Sequence, residues 1–333
     1  MTYSAGGLIE ATDYNGFVST TAGANVNATW STGTTDGGWG QTAISTVSAG
    51  GTVTATQWAS LVNTLASMGS QTGTTITARS APTAGTTISI LTAVNTDLTN
   101  CYTNRANAAA VGSTSSTWTG SAAKTTTTGT GTNAWTATFT STVTFPSADQ
   151  ARYFFNAGGR VYLNMSKTST GLDSDPDWNT FVGKMPTFNI TGISGSKTLA
   201  GTAYTGWTTT GGNFTGLTLS VNDSTKGWYS LTAGAAATTV FVVNDVAGPY
   251  SSDQITVTLA KNAGATALTV VTSLISSART GAGQNTQISG GTDTASPFTA
   301  FGTAPAVVCR FVPPSTTYLS NSWGTPTVAS SVA

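Results

Sequence analysis

Hydrophobic residues in this chain change their spacing near residue 134. Before that point the helical period dominates. Trp58, Leu61, Val62, Leu65 and Met68 fall on one stripe and predict a helix from Ala55 to Met68. Thr54 caps it, Gln57 completes a capping box, and Gly69 is the expected close. A second helix is expected from about Thr86 to Ala110, with Ile88, Leu91, Val94, Leu98, Cys101 and Tyr102 as its apolar face and Gly112 at its end. Leu8 to Phe17 suggests a shorter helical piece.

From Ala134 the period is two. Strand candidates are Trp135–Phe145, Arg160–Met165, Thr187–Ile193, Gly216–Val221, Gly227–Thr232 and Thr239–Val243. Gln254–Ala260, Ala267–Ile275 and Ala306–Phe311 complete the set. Turn chemistry separates several of them, at Asn222-Asp223, at Gly248-Pro249 and across Lys261-Asn262-Ala263-Gly264. Short alternating strands at this spacing imply an antiparallel sandwich. A helix interrupts the strands after Phe145-Pro146. Ser147 and Gln150 form a capping pattern, Ala148 to Asn156 carries Ala151, Phe154 and Phe155 on one side, and Gly158-Gly159 supplies the exit. Ser174 to Lys184, with Trp178, Phe181 and Val182, suggests another short helix.

These elements imply a mainly β protein with some α: a helix-containing N-terminal region followed by an antiparallel β-sandwich-like C-terminal domain. The expected partition is an assembly region over 1–112, a Thr/Gly-rich linker over 113–133, a β domain over 134–312 and an extended tail over 313–333. Pro313-Pro314 sends that tail along a surface.

Charge alters the picture most. Only 7% of residues are charged, against about 25% in an ordinary soluble protein. Lys plus Arg and Asp plus Glu are 12 each, so the formal net charge is zero. A surface made of hydroxyls and small side chains invites association, because no net charge keeps copies apart. Nine Trp, twelve Phe and nine Tyr supply enough apolar area for an ordered core. The scattered basic residues do not form the cluster that phosphate recognition needs, so no nucleic-acid partner is expected. No run approaches the roughly 20 apolar residues that span a bilayer. No basic segment precedes an apolar core near Met1, so synthesis in a cytoplasm without a signal peptide is the expectation.

Candidate chemistry is sparse. The chain has no histidine, which removes Ser-His-Asp and Cys-His nucleophilic machinery and the commonest nitrogen ligand of zinc. No catalytic residues and no cofactor are expected, and the chain reads as a non-enzyme. Asp173, Asp175 and Asp177 alternate in GLDSDPDWN and form a weak candidate cation loop, although Pro176 breaks the EF-hand pattern. Trp207, Trp228 and Tyr229 are the candidates for stacking on a glycan, with core packing as the competing use of the same rings. Cys101 and Cys309 lie far apart without metal spacing and read as two buried free thiols.

Three stretches carry a resemblance. Residues 147–163 of FPSADQARYFFNAGGRVYL resemble a segment of virion structural proteins of tailed bacteriophages, in tail-associated and fibre-like components. Glu10 to Gln41 supports it, with Ala11-Thr12-Asp13-Tyr14-Asn15, Trp30-Ser31-Thr32-Gly33 and Gly37-Gly38-Trp39-Gly40-Gln41. So do Pro313-Pro314-Ser315-Thr316-Thr317 and Asn321-Ser322-Trp323-Gly324-Thr325. The resemblance implies a virion setting, in a tail fibre, collar or baseplate, with a capsid decoration protein or a sugar-binding adhesin as alternatives. It implies partners as well: copies of the same chain, three-fold as in fibre-like components, other virion proteins, and a host surface glycan in the adhesin case.

Overall fold

The computed structural model describes residues 10–19, 24–84, 91–107, 120–123, 135–168, 175–192, 197–199, 202–246, 253–276 and 305–333. Four helices come first: α1 (Ala11–Val18), α2 (Val26–Trp30), α3 (Ala55–Thr72) and α4 (Leu91–Thr103). α3 begins at its expected capping box, with Thr54 accepting from the Gln57 amide and Gln57 bonding back to Thr54. It runs one turn past Gly69 and closes at Gly73, whose φ of 67° is left-handed. Gly69 lies inside the helix, where its missing side chain leaves room for the Thr74 carbonyl and Ile76. The second expected helix is present over Leu91–Thr103 but stops short of the expected Ala110, because the Arg105 and Asn107 amides turn back to the Tyr102 and Asn104 carbonyls; 85–90 and Gly112 lie outside the described residues.

The β region holds β1 (Gly120–Ala123), β2 (Trp135–Thr144), α5 (Ala148–Asn156), β3 (Arg160–Ser166), α6 (Asp175–Gly183) and β4 (Thr187–Ile190). Then come β5 (Lys197–Leu199), β6 (Thr202–Tyr204), β7 (Trp207–Thr210), β8 (Leu217–Asn222) and β9 (Thr238–Asp245). Last are β10 (Gln254–Lys261), β11 (Ala267–Ser276), β12 (Ala306–Val312) and β13 (Thr327–Val332). One antiparallel sheet has the order β1-β12-β3-β4-β7, the other β13-β2-β11-β10-β9-β8, and β5-β6 form a separate hairpin. The fold is mainly β with helices concentrated at the front, as expected.

Three expectations change. Gly227–Thr232 is not a strand: it is a turn, closed by the Leu231 amide bonding to the Gly227 carbonyl and by Ser230 Oγ accepting from the Gly227 amide. Part of the expected linker, Gly120–Ala123, pairs with β12 as a sheet edge. The tail does not simply drape over a surface, since β13 pairs with β2 from Thr327↔Thr144 to Val332↔Phe139.

The two sheets share a core. Val161, Leu163, Phe188, Ile190 and Cys309 face inward from one, and Phe139, Val143, Val257, Val270 and Leu274 from the other, all essentially inaccessible. α5 plugs one end of the sandwich. Its Phe154 and Phe155 meet Phe145, at the end of β2, with ring centroids 5.1 and 5.6 Å away. Phe155 stacks on Trp228 at 5.0 Å, and Phe154 meets Phe311 at 6.2 Å. The N-terminal helices close around Trp58, which takes Tyr14 and Phe17 edge-on.

Long segments without regular structure need other partners for their backbone, since a buried unpaired amide or carbonyl is costly. Side-chain amides supply them. Asn15 donates to the Val47 carbonyl and accepts from the Val47 amide, both at 2.7 Å. Asn27 does the same at Ile44, at 2.8 and 3.0 Å, and also donates to the Val18 carbonyl. Each such side chain imitates one rung of a sheet ladder.

Phe154→Ala is expected to lower the unfolding free energy by about 3–5 kcal/mol, the usual cost of emptying a buried aromatic site. Asn27→Ala, which strands three backbone partners with little change in apolar packing, is expected to cost about 2–3 kcal/mol. Urea titration followed by tryptophan fluorescence measures both, and losses below 1 kcal/mol on this order-of-magnitude scale would contradict the assignment.

Candidate functional site

Two of the three acidic candidates lie on a helix and not in a loop. α6 starts at Asp175, so the backbone at Asp175 and Asp177 is helical and not the open turn in which alternate carboxylates converge. Asp173 lies outside the described residues. Among the described residues no three His, Cys, Asp or Glu side chains cluster as a metal site would require.

The aromatic candidates are brought into the core. Trp207 is fully buried and stacks on Phe188 at 4.9 Å. Trp228 is 3% exposed and stacks on Phe155, with Lys261 Nζ 5.0 Å from its centroid. A sugar ring needs an uncovered aromatic face, and neither indole offers one. Tyr229 is half-buried, and its hydroxyl reaches Asn156 Oδ1 at 2.7 Å and the Thr35 carbonyl at 3.0 Å. Burial pushes its phenol upward, so it stays a neutral donor. The expected glycan platform is thus replaced by two core residues and one clamp.

Both cysteines are free and buried. Burial pushes the Cys101 thiol up to about 12, with Asp97 adding to it, and burial does the same to Cys309, also to about 12.

What the structure does assemble is a junction of the three stretches singled out above. The loop 33–41 returns along α2, with Trp39, Gly40 and Gln41 amides bonded to the carbonyls of Thr29, Ser31 and Trp30. Its far side is held by α5. Asn156 Nδ2 donates to the Gly37 and Gly38 carbonyls at 2.9 and 3.0 Å, Arg152 Nη1 to Gly37 at 2.8 Å, and Trp39 Nε1 to the Asn156 carbonyl at 3.1 Å. Gln71, near the end of α3, donates to the Ala157 carbonyl. The C-terminal segment completes it. Gln41 exchanges two bonds with the Ser320 backbone, at 2.8 and 2.9 Å, and Ser322 Oγ donates to the Trp39 carbonyl.

Two glycines are required here. Gly40 has φ 69° and any Cβ would run into the Tyr153 ring; Gly324 has φ 68° and a Cβ would meet Gln150. Asn156 and Gln41 carried no individual signal in the sequence, because an amide side chain announces its role only once its partners are in place. The one legible trace was the glycine run beside Trp39.

A groove of about 450 Å³ lies between α3 and the extended residues 74–79, lined by Val62, Ala66, Ser70, Thr75 and Ile76. Its one charged lining residue, Arg79, is bonded to the buried Asp97. The groove therefore offers hydroxyls and apolar surface without an acid–base pair. Among the described residues no helix is long and apolar enough to cross a membrane.

No family model, no curated protein and no solved structure matches this chain.

Asn156→Asp keeps the acceptor for Tyr229 but turns a carboxylate toward two carbonyls, and is expected to cost about 2–4 kcal/mol. Tyr229→Phe is expected to cost about 1 kcal/mol. Denaturant melts that rank these variants the other way would refute the junction. The thiols carry a pH signature. Their native values lie above the ordinary one near 9, so the native state keeps protons that the unfolded state loses. Stability is full below pH 9 and falls as pH rises from 9 toward 12. Thiol titration with a chromogenic disulfide is expected to find neither cysteine in the native state at pH 8 and both in denaturant.

Proposed function

We propose that the chain is a non-enzymatic structural component of a tailed-phage virion, a tail fibre, collar or baseplate protein that assembles as a homo-oligomer. The observation that carries the assembly half of this reading is an outward sheet face that bears hydroxyls and small apolar side chains with no ion. The six-stranded sheet turns Thr136, Thr138, Thr140, Thr142 and Thr144 of β2 away from the core. Such a face meets a protein neighbour without the desolvation cost that buried ions carry.

The junction supports the same reading. Gln41, Gln71, Arg152, Asn156 and Ser322 hold the N-terminal helices, the sandwich and the C-terminal segment to one another. A component that must hold its neighbours at fixed angles needs such rigid positioning. The virion half rests on the resemblance of the same three stretches, which meet at this junction. The adhesin alternative loses support, because two of its three aromatic residues are covered by Phe188 and Phe155.

Gold-labelled antibody against the purified chain, imaged on intact tailed-phage particles, tests the setting. Label at discrete positions on the tail or its collar is the expected outcome. Label on the head surface would transfer the protein to the capsid decoration class, and particles that contain no copy of the chain by mass spectrometry would end the virion reading.

A further inference from the structure

We propose that the outer face of the six-stranded sheet is a self-association surface that takes a second copy of the chain, outer face against outer face, about a two-fold axis. The inference deepens the assembly reading, rests on its premise that copies of this chain meet, and takes a two-fold contact where the resemblance implies a three-fold one.

The register across the sheet fixes which residues point outward. One row runs Ser331, Thr140, Val271, Thr258 and Thr239 across five neighbouring strands. All five are exposed or half-exposed, while the alternate positions Phe139, Val257 and Val270 are in the core. No outward position of these strands holds a charged residue. Val221, Val242 and Ile275 stand among the hydroxyls, each only half-exposed.

Three arguments select a second copy as the occupant. First, charge: in a chain of zero formal net charge, an ion-free face suffers no repulsion from its own image. Second, chemistry: a threonine hydroxyl both donates and accepts, so an array of them is complementary to itself, as an isologous contact requires. Thr142 and Thr269, whose oxygens lie 3.2 Å apart across two strands, already show this pairing within the face. Third, size: six strands spaced about 4.8 Å apart and roughly eight residues long cover about 600–800 Å², close to the roughly 800 Å² per partner of a stable interface.

The opposite outer face of the molecule is of another kind. On the five-stranded sheet Arg160 and Arg310 lie over the Tyr162 ring at 5.0 and 5.2 Å, and α6 packs against β3. Arg160 is only 6% exposed there, so that face lays guanidinium groups and an aromatic ring where the six-stranded sheet lays hydroxyls.

Sedimentation of the full chain at tens of micromolar tests the contact. The expected result is a species of twice the chain mass for the wild type. Thr258→Lys/Ser273→Lys is expected to sediment at half that mass with an unchanged circular dichroism spectrum, and mixing it with Thr258→Glu/Ser273→Glu is expected to restore the doubled mass. A wild-type monomer at hundreds of micromolar, or an oligomer indifferent to the lysines, overturns the proposal. Should the lysine variant not fold, the near-isosteric Ser273→Cys decides. Its thiol is expected to react with a maleimide in dilute solution and to be protected at concentrations that give the doubled mass, and equal reactivity in both overturns the contact. Particles without the chain would sink the virion setting and leave this result standing. A monomeric chain would sink the contact while labelled particles upheld the setting.

Discussion

Backbone groups outside the sheets and helices must find hydrogen-bond partners in a protein that has few ions to offer, and that requirement organises the molecule. Asn15, Asn27 and Gln41 each close a pair of bonds with one backbone residue, at Val47, Ile44 and Ser320. Asn156 spans three positions, taking two carbonyls of the glycine loop and the Tyr229 hydroxyl. Each bond is worth about 1 kcal/mol net, but an abandoned buried group costs about 1–3 kcal/mol. The amides therefore act less as added stabilisation than as a condition for long irregular segments to exist inside a compact fold.

The aromatic plug and these amides are complementary. Phe145, Phe154, Phe155 and Trp228 supply the non-directional burial that draws α5 into the end of the sandwich. Asn156 and Arg152, on the same helix, then fix the angle at which the N-terminal helices attach. Burial without direction tolerates slippage; the amide bonds remove it. A single nine-residue helix thus serves both the core and the seam.

Much of this order was readable from residue pattern alone. α3 and α5 announced themselves through Thr54-Gln57 and Ser147-Gln150, because capping is local. β2 and β10 did so through alternation of apolar and polar positions, and β11 through its run of β-branched and apolar residues. What could not be read depended on distant neighbours. The serine-rich β13 is too polar to look like a strand until β2 lies beside it. Gly227–Thr232 alternates like a strand, yet the Ser230 and Leu231 amides bond back to the Gly227 carbonyl and make it a turn, seated where Gly227 lies too close to Gly206 for a Cβ. Trp207 and Trp228 offered two uses, and only the arrival of Phe188 and Phe155 chose the core. The junction was foreshadowed as three separate stretches and not as one place.

Gln41 and Ser320 stand 279 positions apart in the chain. At ribosomal speeds of about 5–20 residues per second, roughly 15–55 s separate the synthesis of the two partners. At first the glycine loop has only α2 to hold it; Asn156 of α5 follows 119 positions after Gly37, and the C-terminal support comes last. Topology of this sort makes native assembly a late, collective event, and it leaves the nascent chain dependent on whatever keeps a hydroxyl-rich polypeptide of zero net charge from meeting its neighbours too soon.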